Sequence, residues 1–349
     1  MVKVKLVGAG GYGGVGAAEI FSRHPEAELV ALVDVADIGA KLSDLYPHLA
    51  GVCDLEIVDA EHDAVEADAV FFATPDRVGM RLASGYIDRG CKVVDYSGDF
   101  RFDNEASYAD YASRIDLETT HLAPDLLSKS AYGLSELHRA EIAKATVVGN
   151  PGCFAVSAIL GAAPAVRDGI IDFNRLVFDA KTGVSGAGKK PNAVFHFPHR
   201  YEEMNAYKIC KHQHVMEVER ELSLLAGKEI AITLNTQVVP VVRGIMTSIY
   251  APLATGVDTA KAVESYREFY RDEPFVIVSD GSGSAGNRTI RGTNRCHLWV
   301  NVDSRTNTLV VMSHIDNLMK GQAGSAVQNL NILFELEETA GLDTPGMYP

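Results

Sequence analysis

The sequence predicts an α/β chain in two parts: a doubly wound parallel-sheet domain, then an α+β domain. Three observations carry this. A β-branched strand, Val2 to Val7, runs into Gly8-Ala9-Gly10-Gly11-Tyr12-Gly13-Gly14, a helical stretch from Val15 to Arg23 and a second strand, Leu29 to Val33. That order of strand, glycine loop, helix and strand is a βαβ unit with parallel pairing. Beyond Gly149-Asn150-Pro151-Gly152 the texture changes to long strands with fewer intervening helices. The length of 349 residues suits two domains.

In the first part, strands are expected at Ala69 to Ala73, Lys92 to Asp95 and Thr146 to Val148, with a helix from Met80 to Arg89. In the second, Phe154 to Val166 reads as a buried Ala-rich helix, and Val215 to Ala226 and Lys261 to Tyr270 as further helices. Strands are expected at Arg175 to Ala180, Ala231 to Val242, Gly244 to Ala251, Phe275 to Ser279, His297 to Asp303 and Thr308 to Ile315. Lys181 to Pro198 reads as a long loop and Gln322 to Phe334 as a last helix. The division predicted is 1–150 for the first domain and 151–319 for the second, with 320–349 returning to the first.

Composition narrows the class. Hydrophobic residues make up 47% and charged residues 22%, which suits a packed globular core. The net charge of −14 argues against binding nucleic acid or an anionic membrane through charge. A small anionic substrate then needs a site that gathers its own cations. The five cysteines, Cys53, Cys91, Cys153, Cys210 and Cys296, form no C-x-x-C pair, as in a reducing compartment without structural zinc. With no signal-peptide core and no apolar run of spanning length, cytoplasmic residence is expected.

The glycine run fits G-x-G-x-x-G as Gly8, Gly10 and Gly13, and G-x-x-G-x-x-G as Gly8, Gly11 and Gly14. Glycines let the backbone turn tightly and approach a pyrophosphate, which the following helix N-terminus holds. This marks a Rossmann dinucleotide site. Asp34 closes the second strand, where a carboxylate bonds ribose hydroxyls and favours NAD over NADP.

Cys153 follows the Gly-Asn-Pro-Gly turn and opens a helix, a setting that favours a thiolate nucleophile. A thiol nucleophile wants an acid/base partner. His212-Gln213-His214 supplies two imidazoles on one side of an extended segment, and Glu217 stands in the next helical turn to orient one of them. An H-x-H pair is also half of a metal site, but no further ligand cluster at metal spacing accompanies it. Arg101, Lys181, Lys189, Lys190 and Arg243 lie in or beside glycine-rich loops at strand ends, as candidates for anion binding. A dinucleotide domain plus a nucleophilic cysteine implies an aldehyde dehydrogenase or acyl-phosphate reductase.

The chain resembles the N-acetyl-γ-glutamyl-phosphate reductases of arginine biosynthesis. The motifs that carry this are Gly11-Tyr12, Asp95 to Arg101, Tyr132 to Glu136, Gly149 to Cys153, Lys181 to Gly188, His212 to Glu217, Pro240 to Ile245 and Asp316 to Gly321. The resemblance implies an aspartate-semialdehyde dehydrogenase-like fold, in which the second domain carries catalysis and oligomer contacts. It implies NADPH-dependent reduction of the acyl phosphate to the semialdehyde, with Cys153 as thioacyl nucleophile and His212 or His214 as acid/base beside Glu217. It implies substrate contacts from Arg101, Ser97, Asn150, Lys181 and Arg243, with Arg101 on the departing phosphate. Cofactor contacts are implied for the glycine loop with Tyr12, and for Thr74, Pro75, Ser185, Gly186 and Asn317. It also implies a homodimer or homotetramer.

Two departures from the family pattern stand out. Where members carry Ser or Thr with a nearby Arg after the second strand, this chain has Asp34-Val35-Ala36-Asp37 and no Arg. NADP and NAD therefore both stay open. Where members carry Leu-Pro-His-Gly after the fourth strand, it has Thr74-Pro75-Asp76-Arg77. Two other readings compete: a reductase of carrier-linked aminoadipyl or glutamyl phosphates, and a non-catalytic NAD(P)-binding regulator. The former resembles members with Gly-Ala-Gly-Cys at the nucleophile, unlike Gly149 to Cys153 here.

Overall fold

The computed structural model describes residues 1–60, 64–254, 256–283 and 286–347. The chain divides into two compact units, Met1–Gly152 with Gln322–Thr344, and Cys153–Gly321 with the segment from Pro345 on.

The first unit holds seven strands: β1 (Val2–Val7), β2 (Ala27–Val33), β3 (Ile57–Val58), β4 (Ala69–Phe72), β5 (Lys92–Asp95), β6 (Ser130–Tyr132) and β7 (Val147–Gly149). They lie in the order β3-β2-β1-β4-β5-β7-β6, and every pairing is parallel. Val4, Leu6, Val70, Phe71, Phe72, Val93, Val94, Val147 and Val148 are fully buried, as strands covered on both faces must be. The order reverses at β1, between β2 and β4. The carboxyl end of β1 is thus the switch point where doubly wound sheets bind ligands.

The second unit holds β8 (Leu176–Thr182), β9 (Asn205–Tyr207), β10 (Ile232–Val238), β11 (Ile245–Pro252), β12 (Val276–Ser279), β13 (Cys296–Asp303) and β14 (Thr308–Ile315). Their order is β12-β13-β14-β11-β8-β10-β9, a mixed sheet. Its two faces differ. Thr247, Ile249 and Ser313 point at the Cys153–Arg167 helix, where Ser157 Oγ meets Thr247 Oγ1 at 2.8 Å and Ser313 Oγ at 3.0 Å. The alternate residues of the same strands face away from that helix. Among them Tyr250 is 39% exposed and its strand neighbour Val177 37%.

The Glu105–Ser113 and Ser135–Ile142 helices and the short strands β3, β6 and β9 lie outside the elements expected from sequence. The first helix is mostly polar and small, and its start is fixed by the Asn104 side chain accepting from Ser107 N. Each strand has two or three residues, too short to show a period. The expected loop after Lys181 is interrupted: β8 runs to Thr182, and a short helix forms over Phe197–Arg200. No described helix is long and apolar enough to cross a membrane.

Candidate active site

At the end of β1 the chain turns through Gly8, whose φ is +85°, and a Cβ there would lie 2.4 Å from Ala73 O. Only glycine fits that approach. Gly10 and Gly11 follow, and the Tyr12–Phe21 helix starts with Tyr12, Gly13 and Gly14 and has no side-chain cap. Its first N–H groups can therefore meet an anion. Asp34 Oδ2 accepts from Gly10 N at 2.9 Å, and Tyr46 Oη donates to Gly10 O at 2.9 Å. Thr74 lies against Gly8 just beyond β4, and Pro75 is exposed. This cradle fits a dinucleotide pyrophosphate.

The Asp95 to Arg101 segment is knit into the same unit. Asp95 Oδ1 accepts from Ser97 N and Oγ, while Asp99 accepts from Arg77 N at 2.8 Å and Met80 N at 3.0 Å. Burial first, then the charge of Asp99, holds the Asp95 carboxyl above the usual range; burial also raises Asp99. Asp95 Oδ2 has no hydrogen-bond partner among the described residues. Arg101 is 6% exposed, with Nε and Nη2 donating to the carbonyls of Asn150 and Tyr96 at 2.8 and 2.6 Å. Asn150 donates to Gln322 O and accepts from Asn329 Nδ2, so its amide serves the packing of the returning helix.

In the second unit Cys153 is half-buried and opens the Cys153–Arg167 helix, whose first turn holds no acidic residue. Gly321 packs against it, since a Cβ there would lie 2.8 Å from Cys153 Cβ. Phe154 presents its ring to His212 at 5.0 Å and to His214 at 6.1 Å between centroids. The two imidazoles are 4.5 Å apart, and His212 Nδ1 accepts from His214 N at 3.2 Å. His214 Nε2 is 3.9 Å from Glu217 Oε1, which is 1% exposed. Tyr207 joins the cluster, 5.8 Å from His212 between centroids; burial first, then the charge of Cys153, raises its phenol. Cys153, His212, His214 and Glu217 thus come together, with Tyr207 and Gly321 as neighbours the sequence reading assigned no role. Gly321 closes a motif quoted above; Tyr207 lies in a three-residue strand and gave no local signal.

The cations divide. Arg243 Nε pairs with Asp316 Oδ2 at 3.0 Å, and Asp316 is fully buried. Lys181 is ion-paired with Asp179 and sits opposite Met246, on the sheet face turned away from the Cys153–Arg167 helix. The loop position of Lys181 expected from sequence is corrected here: it is a strand residue, committed to its i−2 neighbour. Asn317 spends its amide on Ser185 Oγ at 3.0 Å and Gly244 N at 2.7 Å, tying the Val184–Ala187 turn, with Gly186, to the start of β11.

The parallel sheet of the first unit is thus followed by a mixed-sheet unit whose first helix opens with a cysteine, and both parts match semialdehyde dehydrogenase domains. The family described as semialdehyde dehydrogenase, NAD binding domain, matches residues 3–145, and that described as semialdehyde dehydrogenase, dimerisation domain, matches residues 153–317. Aspartate semialdehyde dehydrogenase II of Vibrio cholerae has the same fold, with a TM-score of 0.72 at 16% identity over 96% of this chain and 98% of that one. The N-acetyl-gamma-glutamyl-phosphate reductases of Desulforudis audaxviator and Moorella thermoacetica are each 40% identical over 100% of both chains. That of Bacillus cereus is 38% identical over 99% of this chain and 100% of its own. The chain belongs to the N-acetyl-γ-glutamyl-phosphate reductase family.

Proposed function

We propose that this chain reduces N-acetyl-γ-glutamyl phosphate to N-acetylglutamate 5-semialdehyde and phosphate, through a thioester on Cys153. The observation that carries the reading is the cysteine at a helix N-terminus within one cluster with two buried histidines and a buried glutamate.

The Cys153 thiolate attacks the acyl carbon; the S–C bond forms, the C–O bond to phosphate breaks, and phosphate leaves. Gly8 to Gly14 would hold a nicotinamide dinucleotide, which when bound would supply the hydride that reduces the thioester. Collapse of the resulting hemithioacetal expels the thiolate and gives the aldehyde. His212 accepts at Nδ1 from the His214 backbone, so as a neutral ring it carries its proton on Nε2. That proton suits the oxyanion of both tetrahedral states. His214, beside Glu217, is then the proton carrier for the thiol. Arg101 is assigned to the departing phosphate and Arg243, steadied by Asp316, to the substrate carboxylate; Lys181 takes no part.

The same reading carries cytoplasmic residence and a homo-oligomer. The face of the second sheet turned away from the Cys153–Arg167 helix, with exposed Tyr250 and Val177, is the surface for a second copy. Replacing Cys153 by Ala tests the chemistry. Phosphate-dependent oxidation of the semialdehyde is expected to vanish while dinucleotide binding survives. Retained turnover would reject the mechanism.

A further inference from the structure

Resting on the reading that Gly8 to Gly14 hold a nicotinamide dinucleotide, the geometry at the end of β2 selects between its two forms. We infer that this chain uses NADH, with Asp34 accepting the 2′-hydroxyl of the adenosine ribose and Asp37 adding to the exclusion of a 2′-phosphate.

Asp34 is fixed against the glycine loop. Its Oδ2 accepts from Gly10 N at 2.9 Å, and its Oδ1 from Val35 N at 2.7 Å and Ala36 N at 3.4 Å. These three backbone donors fix the direction of the carboxylate. A carboxylate has about four acceptor sites. Oδ2 thus keeps a lone pair for a ribose hydroxyl while it still holds the loop. A 2′-phosphate brings no proton for that lone pair, and it carries about −1.5 to −2 charges at neutral pH.

The surroundings add repulsion. Asp37 sits three residues on, exposed, with φ +57°. Tyr46, whose hydroxyl grips Gly10 O, is raised first by burial and then by the charges of Tyr12, Asp37 and Asp34, so both carboxylates project their field on this corner. Compensating cations are missing from the glycine loop with its helix and from the segment that follows β2. No Lys or Arg occurs from Gly8 to Ser22 or from Val33 to Ala40. The charge of Lys41, next along the chain, acts on Asp54, and His48 pairs with Glu19 at 2.7 Å. From these two segments an anionic group would meet neither an arginine fork nor a lysine.

The test is a fluorescence titration of the whole protein with NADH and with NADPH, in the absence of substrate. NADH is expected to bind roughly 100-fold more tightly, the scale of a lost hydroxyl bond plus a like charge at close range. NADPH binding equally or better would overturn the inference and leave the reductase reading standing. Binding of neither would overturn both. Asp34→Asn keeps an acceptor for Gly10 N and removes the charge, so the ratio should fall to about tenfold. Adding Asp37→Arg should bring NADPH level with NADH or ahead of it. A ratio unmoved in the double variant would show that these two residues do not select.

Discussion

The Nδ1 atom of His212 receives the backbone N–H of His214 at 3.2 Å, and the rings stand 4.5 Å apart at 68°. This contact gives two neighbouring imidazoles different duties. His212 can offer a proton only from Nε2; protonating Nδ1 would break the bond to the backbone. His214 keeps its partnership with the Glu217 carboxylate.

The donor role of His212 has a readout. Glutamine places an N–H close to the Nε2 position of histidine, and alanine does not. His212→Ala should lower kcat by roughly 10²–10³, the loss seen when one oxyanion donor is removed. His212→Gln should recover a large part of it. If both variants are equally inactive in steady-state assays, His212 moves protons and is no fixed donor.

Arg77 adopts φ +70°, where the family pattern has glycine. Asp99 holds its backbone N–H, and its guanidinium donates to Glu118 O at 2.7 Å and Thr120 O at 3.2 Å. A left-handed non-glycine residue costs roughly 1–2 kcal/mol. Arg77→Ala loses the guanidinium bonds and keeps the strain; Arg77→Gly loses the bonds and sheds the strain. Urea unfolding should find the glycine variant more stable than the alanine variant by about 1 kcal/mol. The reverse order would mean that this backbone is not strained.

His297 and His314 pair across β13 and β14. Burial is the first cause in both of a pKa lowered to about 4; a second is Arg295 for His297 and His297 itself for His314. The unfolded chain binds these protons near pH 6.5, the folded chain only near 4. Stability from the pair is therefore present above 6.5 and lost as pH falls toward 4. The urea midpoint should drop across that window, and less so in His297→Gln/His314→Gln. An equal drop in that variant would place the acid sensitivity elsewhere.

The grouping of Cys153, His212, His214 and Glu217 was legible because the signals for it are local. The glycine run, the turn into Cys153 and the His212 to Glu217 segment each carry their meaning within a few residues, and the long strands β1, β8, β11 and β14 carry theirs in hydrophobic pattern. What escaped depends on distant partners. Lys181 stands at the edge of a glycine loop in sequence, yet strand register sets it beside Asp179 and away from the Cys153–Arg167 helix. Asn150 follows the same logic: its motif suggests substrate contact, and its amide meets Gln322 and Asn329, more than 170 residues on. Tyr207 reaches the cysteine cluster through pairing of β9 with β10, which a three-residue strand cannot announce.

The most direct test of the central claim is the initial rate of dinucleotide reduction with N-acetylglutamate 5-semialdehyde, measured with and without inorganic phosphate. A thioester on Cys153 that phosphate must cleave predicts rapid reduction only when phosphate is present. No reduction in either condition, or the same rate without phosphate, would contradict it.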